Sequence, residues 1–383
     1  MTSSASAQLR AWLRDGWIAL GVAFLLFLGL EALYRGLQRV RHGAEPEVVG
    51  RVVTPGHPYE GQPWFRELKP GLDARKNRFD PYRSYWPGPV KSRYVNIDSA
   101  GRRVTPQAVP DRAGVLHVLM LGGSTMWGFT ARDSFTIPAL TAQRLAAHGV
   151  ANAHVYNLAQ AAFNTTQEAS TLLLEIARGR VPDVVVLLDG YNDIATALKY
   201  RDPGHTYAEE NTSQQIDLGR RTFWQELIGF GRYSKMIAGL KSKVSPAPAP
   251  AAQPKRTRSQ ICGETGRYYA GIAHQVEAIG QAHGFPVVYF QQPLHSTTGK
   301  ALSAWEKKLP VNAATKECAD SIDAAMADRA GKSYVSLRGV FDADTATRFV
   351  DEIAHVTEEG NGEIAERIAQ VIAPLLQQAR PRR

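Results

Sequence analysis

Five short apolar runs set the strongest limit on this chain's fold: Val115–Leu121, His154–Leu158, Val184–Leu188, Pro286–Phe290 and Ser333–Leu337. Most are apolar at consecutive rather than alternate positions, so a strand formed from them needs cover on both faces. Longer stretches with helical spacing follow them at Phe135–His148, Thr166–Arg178, Tyr268–His283, Ala313–Ala330 and Gly362–Gln378. Alternation of this kind predicts an α/β fold, a three-layer αβα sandwich with a parallel sheet of about five strands. Functional groups in such sheets gather at the carboxyl ends of the strands.

Ahead of that pattern lies Trp17–Leu30, a charge-free stretch that continues through Ala32-Leu33-Tyr34. Its length suits a bilayer of about 30 Å at about 1.5 Å per residue. It also exceeds the apolar core of a usual signal peptide, and no clear small-x-small cleavage site follows. The expected organisation is a tail at 1–11, a single transmembrane anchor at 12–34, a stalk and extension at 35–112, and the main domain at 113–378. Arginines flank the anchor on both sides (Arg10 and Arg14; Arg35, Arg39 and Arg41), so the positive-inside rule assigns no orientation.

The formal net charge is +9, and residues 1–112 hold 17 Lys/Arg against 10 Asp/Glu. This excess beside an apolar segment suits anionic lipid head groups. No zinc-finger, RNP or basic-helix pattern is present, which argues against nucleic acid as a partner. The two cysteines, Cys262 and Cys318, either pair in an oxidising compartment or stay as buried thiols. Between about 200 and 260 the rhythm breaks. A polar stretch, a basic segment at 222–243 and the Pro/Ala linker SPAPAPAAQP read as a solvated insertion, with a lid or membrane-facing flap as the alternative.

The first strand runs into Gly122-Gly123-Ser124. The turn lacks the GxxxxGK[ST] spacing of a phosphate loop and the GxGxxG of a dinucleotide site. A serine nucleophile needs a base, the base needs a carboxylate to orient it, and the oxyanion needs donors. Candidates for each fall at the same sheet edge: GYND (Gly190–Asp193) after the third strand, Ala159 after the second, and Asp351, Glu352 and His355 before the last helix. Taken singly these are ordinary features, since Asn192-Asp193 or Asp351–His355 would each serve as a helix cap. His295 after the fourth strand is a rival base without an evident carboxylate partner. No His/Cys/Asp grouping has zinc-site spacing, so no metal and no cofactor are expected.

In this order, the blocks resemble those of the SGNH (GDSL-like) hydrolase superfamily over about residues 113–378. The resemblance implies a flavodoxin-like sheet and acyl-ester chemistry. It makes Ser124 the nucleophile, His355 the base, and Ser124, Asn192 and the residue at Ala159 the oxyanion donors, with Gly122, Gly123 and Gly190 shaping the turns. Two departures stand out. Ala159 occupies a position where the family has Gly. The family's DxxH spacing would select Glu352, whereas the FVD context selects Asp351, the preferred carboxylate. Family members act on O-acetylated carbohydrates, lipids and thioesters. The implied activity is therefore a serine esterase, removing O-acetyl groups from envelope or exported polysaccharide, set in a bacterial inner membrane with its catalytic domain in the periplasm. Polysaccharide O-acetyl transfer, lipase-like acyl hydrolysis at the membrane, and a catalytically inactive binding or assembly role are the alternatives.

Overall fold

The computed structural model describes residues 3–42, 56–207, 209 and 256–379. Five strands, β3 (Leu116–Gly122), β4 (Ala153–Asn157), β5 (Val184–Asp189), β6 (Val287–Gln291) and β7 (Tyr334–Ser336), form one all-parallel sheet in the order β4-β3-β5-β6-β7. Two earlier strands, β1 (Asn77–Asp80) and β2 (Ser84–Pro87), pair as an antiparallel hairpin.

The consecutive apolar residues divide by parity between two cores. Val118, Met120, Val186, Leu188, Val288 and Phe290 face one layer with helices α4 (Ile137–Ala147) and α9 (Glu358–Gln378). Leu119, Leu121, Val185, Leu187, Val287 and Tyr289 face the other, built by α5 (Thr165–Ala177), α6 (Tyr191–Tyr200), α7 (Arg258–His283) and α8 (Ala313–Ala325). Every residue of β5 and β6 is buried, as two covered faces require. The flavodoxin-like expectation therefore holds at the level of sheet order and layers. The helix α6, absent from the sequence-level pattern, begins inside GYND.

Residues between 56 and 112 correct the expected stalk. The helix α2 (Pro63–Asp73) buries Phe65 and Leu68 in the same core as β3 and α9. Isolated bridges link Ile97 to Arg103 and Arg103 to Asn157 at the end of β4. This extension packs into the unit that holds the sheet, whose own boundary lies near residue 52 rather than 113.

The N-terminal helix α1 (Ser3–His42) belongs to a separate unit. Its stretch Trp12–Tyr34 has a mean hydropathy of 2.0 and is long enough to cross a membrane. The 222–243 segment and the Pro/Ala linker of the expected insertion lie outside the described residues. Cys262 on α7 and Cys318 on α8 form a disulfide.

Candidate active site

β3 delivers the chain to the sheet edge at Gly122, where space is short on all sides. A Cβ on Gly122 would stand 2.5 Å from the Leu188 carbonyl oxygen, and one on Gly123 would stand 2.4 Å from Asn192 Nδ2. Only glycine lets the turn approach both β5 and the first turn of α6. Ser124 then opens α3 (Ser124–Trp127), a single helical turn closed by Gly128 and Phe129 N–H groups donating to the Ser124 carbonyl at 3.0 Å.

Across this edge lies the loop between β7 and α9. His355 Nε2 is 2.7 Å from Ser124 Oγ, and His355 Nδ1 is 2.5 Å from Asp351 Oδ2. The four-residue spacing is absorbed by a turn wound around the carboxylate. Asp351 Oδ1 accepts from the Ile353 N–H at 3.0 Å, and Val350 N–H donates to the His355 carbonyl at 2.9 Å. The extra residue is thereby looped out. Glu352 is partly exposed and exerts only a through-space charge on the imidazole.

The electrostatics follow from this pairing. Burial alone would raise the Asp351 carboxyl and lower the His355 imidazole. Their mutual charge and hydrogen bond outweigh burial, so Asp351 sits below its ordinary pKa and His355 above. The result is an imidazole held with one nitrogen on a carboxylate and the other on a serine hydroxyl.

Side-chain bonds lock the two loops together. Thr125 Oγ1 donates to the Ala354 carbonyl at 3.1 Å, and Thr130 Oγ1 to the Val356 carbonyl at 3.0 Å. Arg132 grips Glu358 through Nη2 at 2.5 Å and Nε at 3.0 Å. Beneath the histidine loop, buried Glu306 accepts from Lys300 Nζ at 2.6 Å and from the Arg348 and Phe349 N–H groups at 2.9 and 3.0 Å. Burial would raise this carboxyl, but Lys300 and the backbone donors hold it down at about 2.

Asn192, in the first turn of α6, donates Nδ2 to the Phe163 carbonyl at 2.6 Å and lies directly over Gly123. Its second amide hydrogen stays beside the serine turn. Gly190 is the residue preceding α6 and has φ 116°.

Ala159 corrects the expectation for the oxyanion donors. It is fully buried, and its N–H donates to Asn157 Oδ1 at 3.2 Å. Ala161 and Ala162 of that loop are partly exposed, and the φ of +64° at Ala162 is the left-handed conformation that favours glycine. Among the described residues the Ala162 N–H has no hydrogen-bond partner. Between the end of β4 and Ala162 the loop makes two further bonds to the sheet. Leu158 and Gln160 N–H groups donate to the Met120 and Gly122 carbonyls at 2.9 and 3.0 Å.

His295 is not part of this arrangement. It is buried against Phe349, and its Nε2 lies 3.0 Å from the Glu306 carbonyl. Thr125, Thr130, Glu306 and Ala162 went unrecognised in the sequence, where nothing sets them apart from ordinary loop residues. Among the described residues, no group of three or more His, Cys, Asp or Glu side chains is placed to hold a metal ion.

The sheet order, with Ser124 at the end of its second strand in space and Asp351–His355 before the last helix, is a three-layer αβα arrangement around an all-parallel sheet. Among solved structures, the chain is similar to a carbohydrate acetylesterase from Sinorhizobium meliloti at 14% identity, with 68% of this chain and 99% of that one covered and a TM-score of 0.36. It is similar at 12% identity to a member of the lipolytic protein G-D-S-L family from Veillonella parvula DSM 2008, covering 67% of this chain and 98% of that one, with a TM-score of 0.39. An acetyl xylan esterase is likewise 12% identical, with 67% and 100% covered and a TM-score of 0.38. No family model matches the sequence, and no curated protein matches it.

Proposed function

We propose that the chain is a serine esterase. The observation that carries this reading is the continuous link from Ser124 Oγ through His355 to Asp351, at 2.7 and 2.5 Å. Such distances let the imidazole take the serine proton as Oγ attacks an ester carbonyl. The carbonyl oxygen becomes an oxyanion, and the Ser124 N–H, Asn192 Nδ2 and the Ala162 N–H are the donors assigned to it. Collapse of the intermediate breaks the ester C–O bond, and the leaving alkoxide takes the proton from His355 Nε2. Water then attacks the acyl-serine with the same histidine as base, releasing the acid and restoring the hydroxyl. Asp351 stays ionised throughout and keeps Nδ1 protonated.

For the substrate, we propose O-acetyl groups on envelope or exported polysaccharide. Two features support an extracytoplasmic setting: the apolar stretch Trp12–Tyr34 and the Cys262–Cys318 disulfide, a bond favoured in oxidising compartments. On this reading the first segment is an inner-membrane anchor and the catalytic unit is periplasmic. Transfer of the acetyl group to a sugar hydroxyl would pass through the same acyl-serine, with a sugar in place of water.

The test is fluorophosphonate labelling of the full chain, beside Ser124→Ala, with acetate release followed from acetylated glycans and from p-nitrophenyl acetate. Labelling and acetate release that disappear in the variant are expected. A folded wild-type protein that takes no label would overturn the esterase reading in favour of a binding or assembly role.

A further inference from the structure

The turn that carries Ser124 is too short to hold itself. Four residues of helix make no lasting structure alone, because nucleation is unfavourable and the terminal carbonyls lack partners. Asn157 Nδ2 donates to the Trp127 carbonyl at 3.3 Å, but most of the bonds to this end of the turn come from one buried side chain twenty-one positions upstream of the serine, in the extension that precedes the sheet. Arg103 has a side-chain exposure of 0%. Its Nη1 donates to the Trp127 carbonyl at 3.0 Å and to the Gly128 carbonyl, and its Nη2 donates to the Ala131 carbonyl at 2.7 Å. Its Nε is 3.0 Å from Asp133 Oδ1. The guanidinium also lies 4.3 Å from the Trp127 ring centroid, with Arg75 at 5.0 Å from the same centroid.

We infer that Arg103 is a positioning residue for the esterase reaction, fixing Ser124 by clamping the carboxyl end of the turn it rides on. The inference rests on the esterase reading given above. A cation there also complements the negative end of the helical turn. Both Ser124 Oγ and the Ser124 N–H belong to this turn. A shift of the turn therefore moves nucleophile and oxyanion donor together, and a displacement of about 1 Å can cost roughly 100-fold in rate. The planar fork of donors explains why arginine stands here: lysine carries the charge but cannot reach three carbonyls and a carboxylate in one plane. Bulk packing alone would not call for it, since a buried ion pair is often replaceable by apolar side chains without loss of stability.

The test compares wild type with Arg103→Lys and with the paired change Arg103→Met, Asp133→Asn, which removes the ion pair without stranding the carboxylate. Arg75→Gln serves as the control, because it changes the other cation's contact with Trp127 and leaves the carbonyl clamp in place. The readouts are fluorophosphonate labelling rate, kcat and KM for p-nitrophenyl acetate, the pH profile of kcat/KM, and folding by circular dichroism. Expected are folded variants at position 103 with kcat and labelling rate lowered about 100-fold. KM should stay within about threefold and the pH midpoint should not move, because the His355–Asp351 pair is untouched. Methylguanidinium added to Arg103→Ala should restore part of kcat. Folded variants with near wild-type kcat would overturn the inference, and so would an equal loss in Arg75→Gln. Variants at 103 that do not fold at all would make the role structural and overturn it too. Wild-type protein that takes no label would instead sink the esterase reading itself.

Discussion

The Asn192 side-chain amide occupies the space that a Cβ on Gly123 would need, 2.4 Å from Nδ2. The residue before the nucleophile and the proposed oxyanion donor are therefore one steric unit. Gly123→Ala should push Asn192 off the Phe163 carbonyl and lower kcat by about 10²–10³, the usual cost of losing one oxyanion donor. Asn192→Ala should lose a similar amount. The double variant should fall no further than either single one, since both remove the same interaction. Additive losses in a p-nitrophenyl acetate assay would show that the two act separately.

The pairing of His355 with Asp351 predicts a pH signature. The imidazole must be neutral to act as base, and its folded pKa is raised above 6.5 by Asp351 against the opposing effect of burial. Activity should therefore fall as pH drops through a midpoint above 6.5. Asp351→Asn removes the raising cause and leaves burial, so the midpoint should move down, with kcat reduced by up to about 10⁴ because the tautomer is lost. Glu352→Gln should keep most of kcat and shift the midpoint slightly downward. A larger loss from Glu352→Gln than from Asp351→Asn would reverse the carboxylate assignment.

The disulfide should act on stability rather than on chemistry. Cys262 and Cys318 are 56 positions apart, and closing a loop of that size restricts the unfolded chain by about 4 kcal/mol in the chain-entropy account. Cys262→Ala with Cys318→Ala should lower Tm by several degrees while leaving kcat within about twofold. Thermal scans with and without reductant would check this in the unmodified protein. Loss of kcat at temperatures where the variant is folded would link α7 and α8 to the site.

These expectations draw on features of unequal legibility. The strands could be read because Val184–Leu188 and its counterparts are apolar at every position, which a surface strand would not be. Ser124 and Asn192 could be read because each follows such a strand at the edge where the sheet opens. Asp351 is preferred to Glu352 on its FVD context and against the family spacing; what decides between them is a turn of backbone N–H groups around Oδ1 that leaves no trace in spacing. Ala159 was named and Ala162 went unrecognised for a related reason. Both are small, and only the conformation distinguishes the residue with φ +64° from the one bonded to Asn157. Arg103 was hidden by composition, since a Pro-, Gly- and Arg-rich stretch reads as a linker until its arginine is seen buried in the core.

A second titrating cluster, buried among α5, β5 and α6, has the opposite effect on stability from a surface salt bridge. Glu168 on α5, Asp189 at the end of β5 and Asp193 on α6 are all buried, and Tyr269 Oη donates to Asp189. Burial raises all three carboxyls, Asp189 to about 6 and Asp193 to about 7, the latter also through the neighbouring Asp189 charge. Because the folded protein holds these protons more tightly than the unfolded chain, it binds more of them between pH ~4 and ~7. Their contribution is fully present below the unfolded carboxylate range and is lost as pH rises through about 6 and 7. His355, also raised, adds a loss of the same sign above pH 6.5. Asp193→Asn keeps an oxygen to accept from Thr165 Oγ1, 2.6 Å away, and removes one ionisation. Urea unfolding should therefore show the stability difference between Asp193→Asn and wild type shifting in the variant's favour from pH 4 to pH 8, with a net gain for the variant at pH 8. A variant less stable than wild type at pH 8 would mean that the ionised carboxylate, not the protonated one, holds α5 to α6.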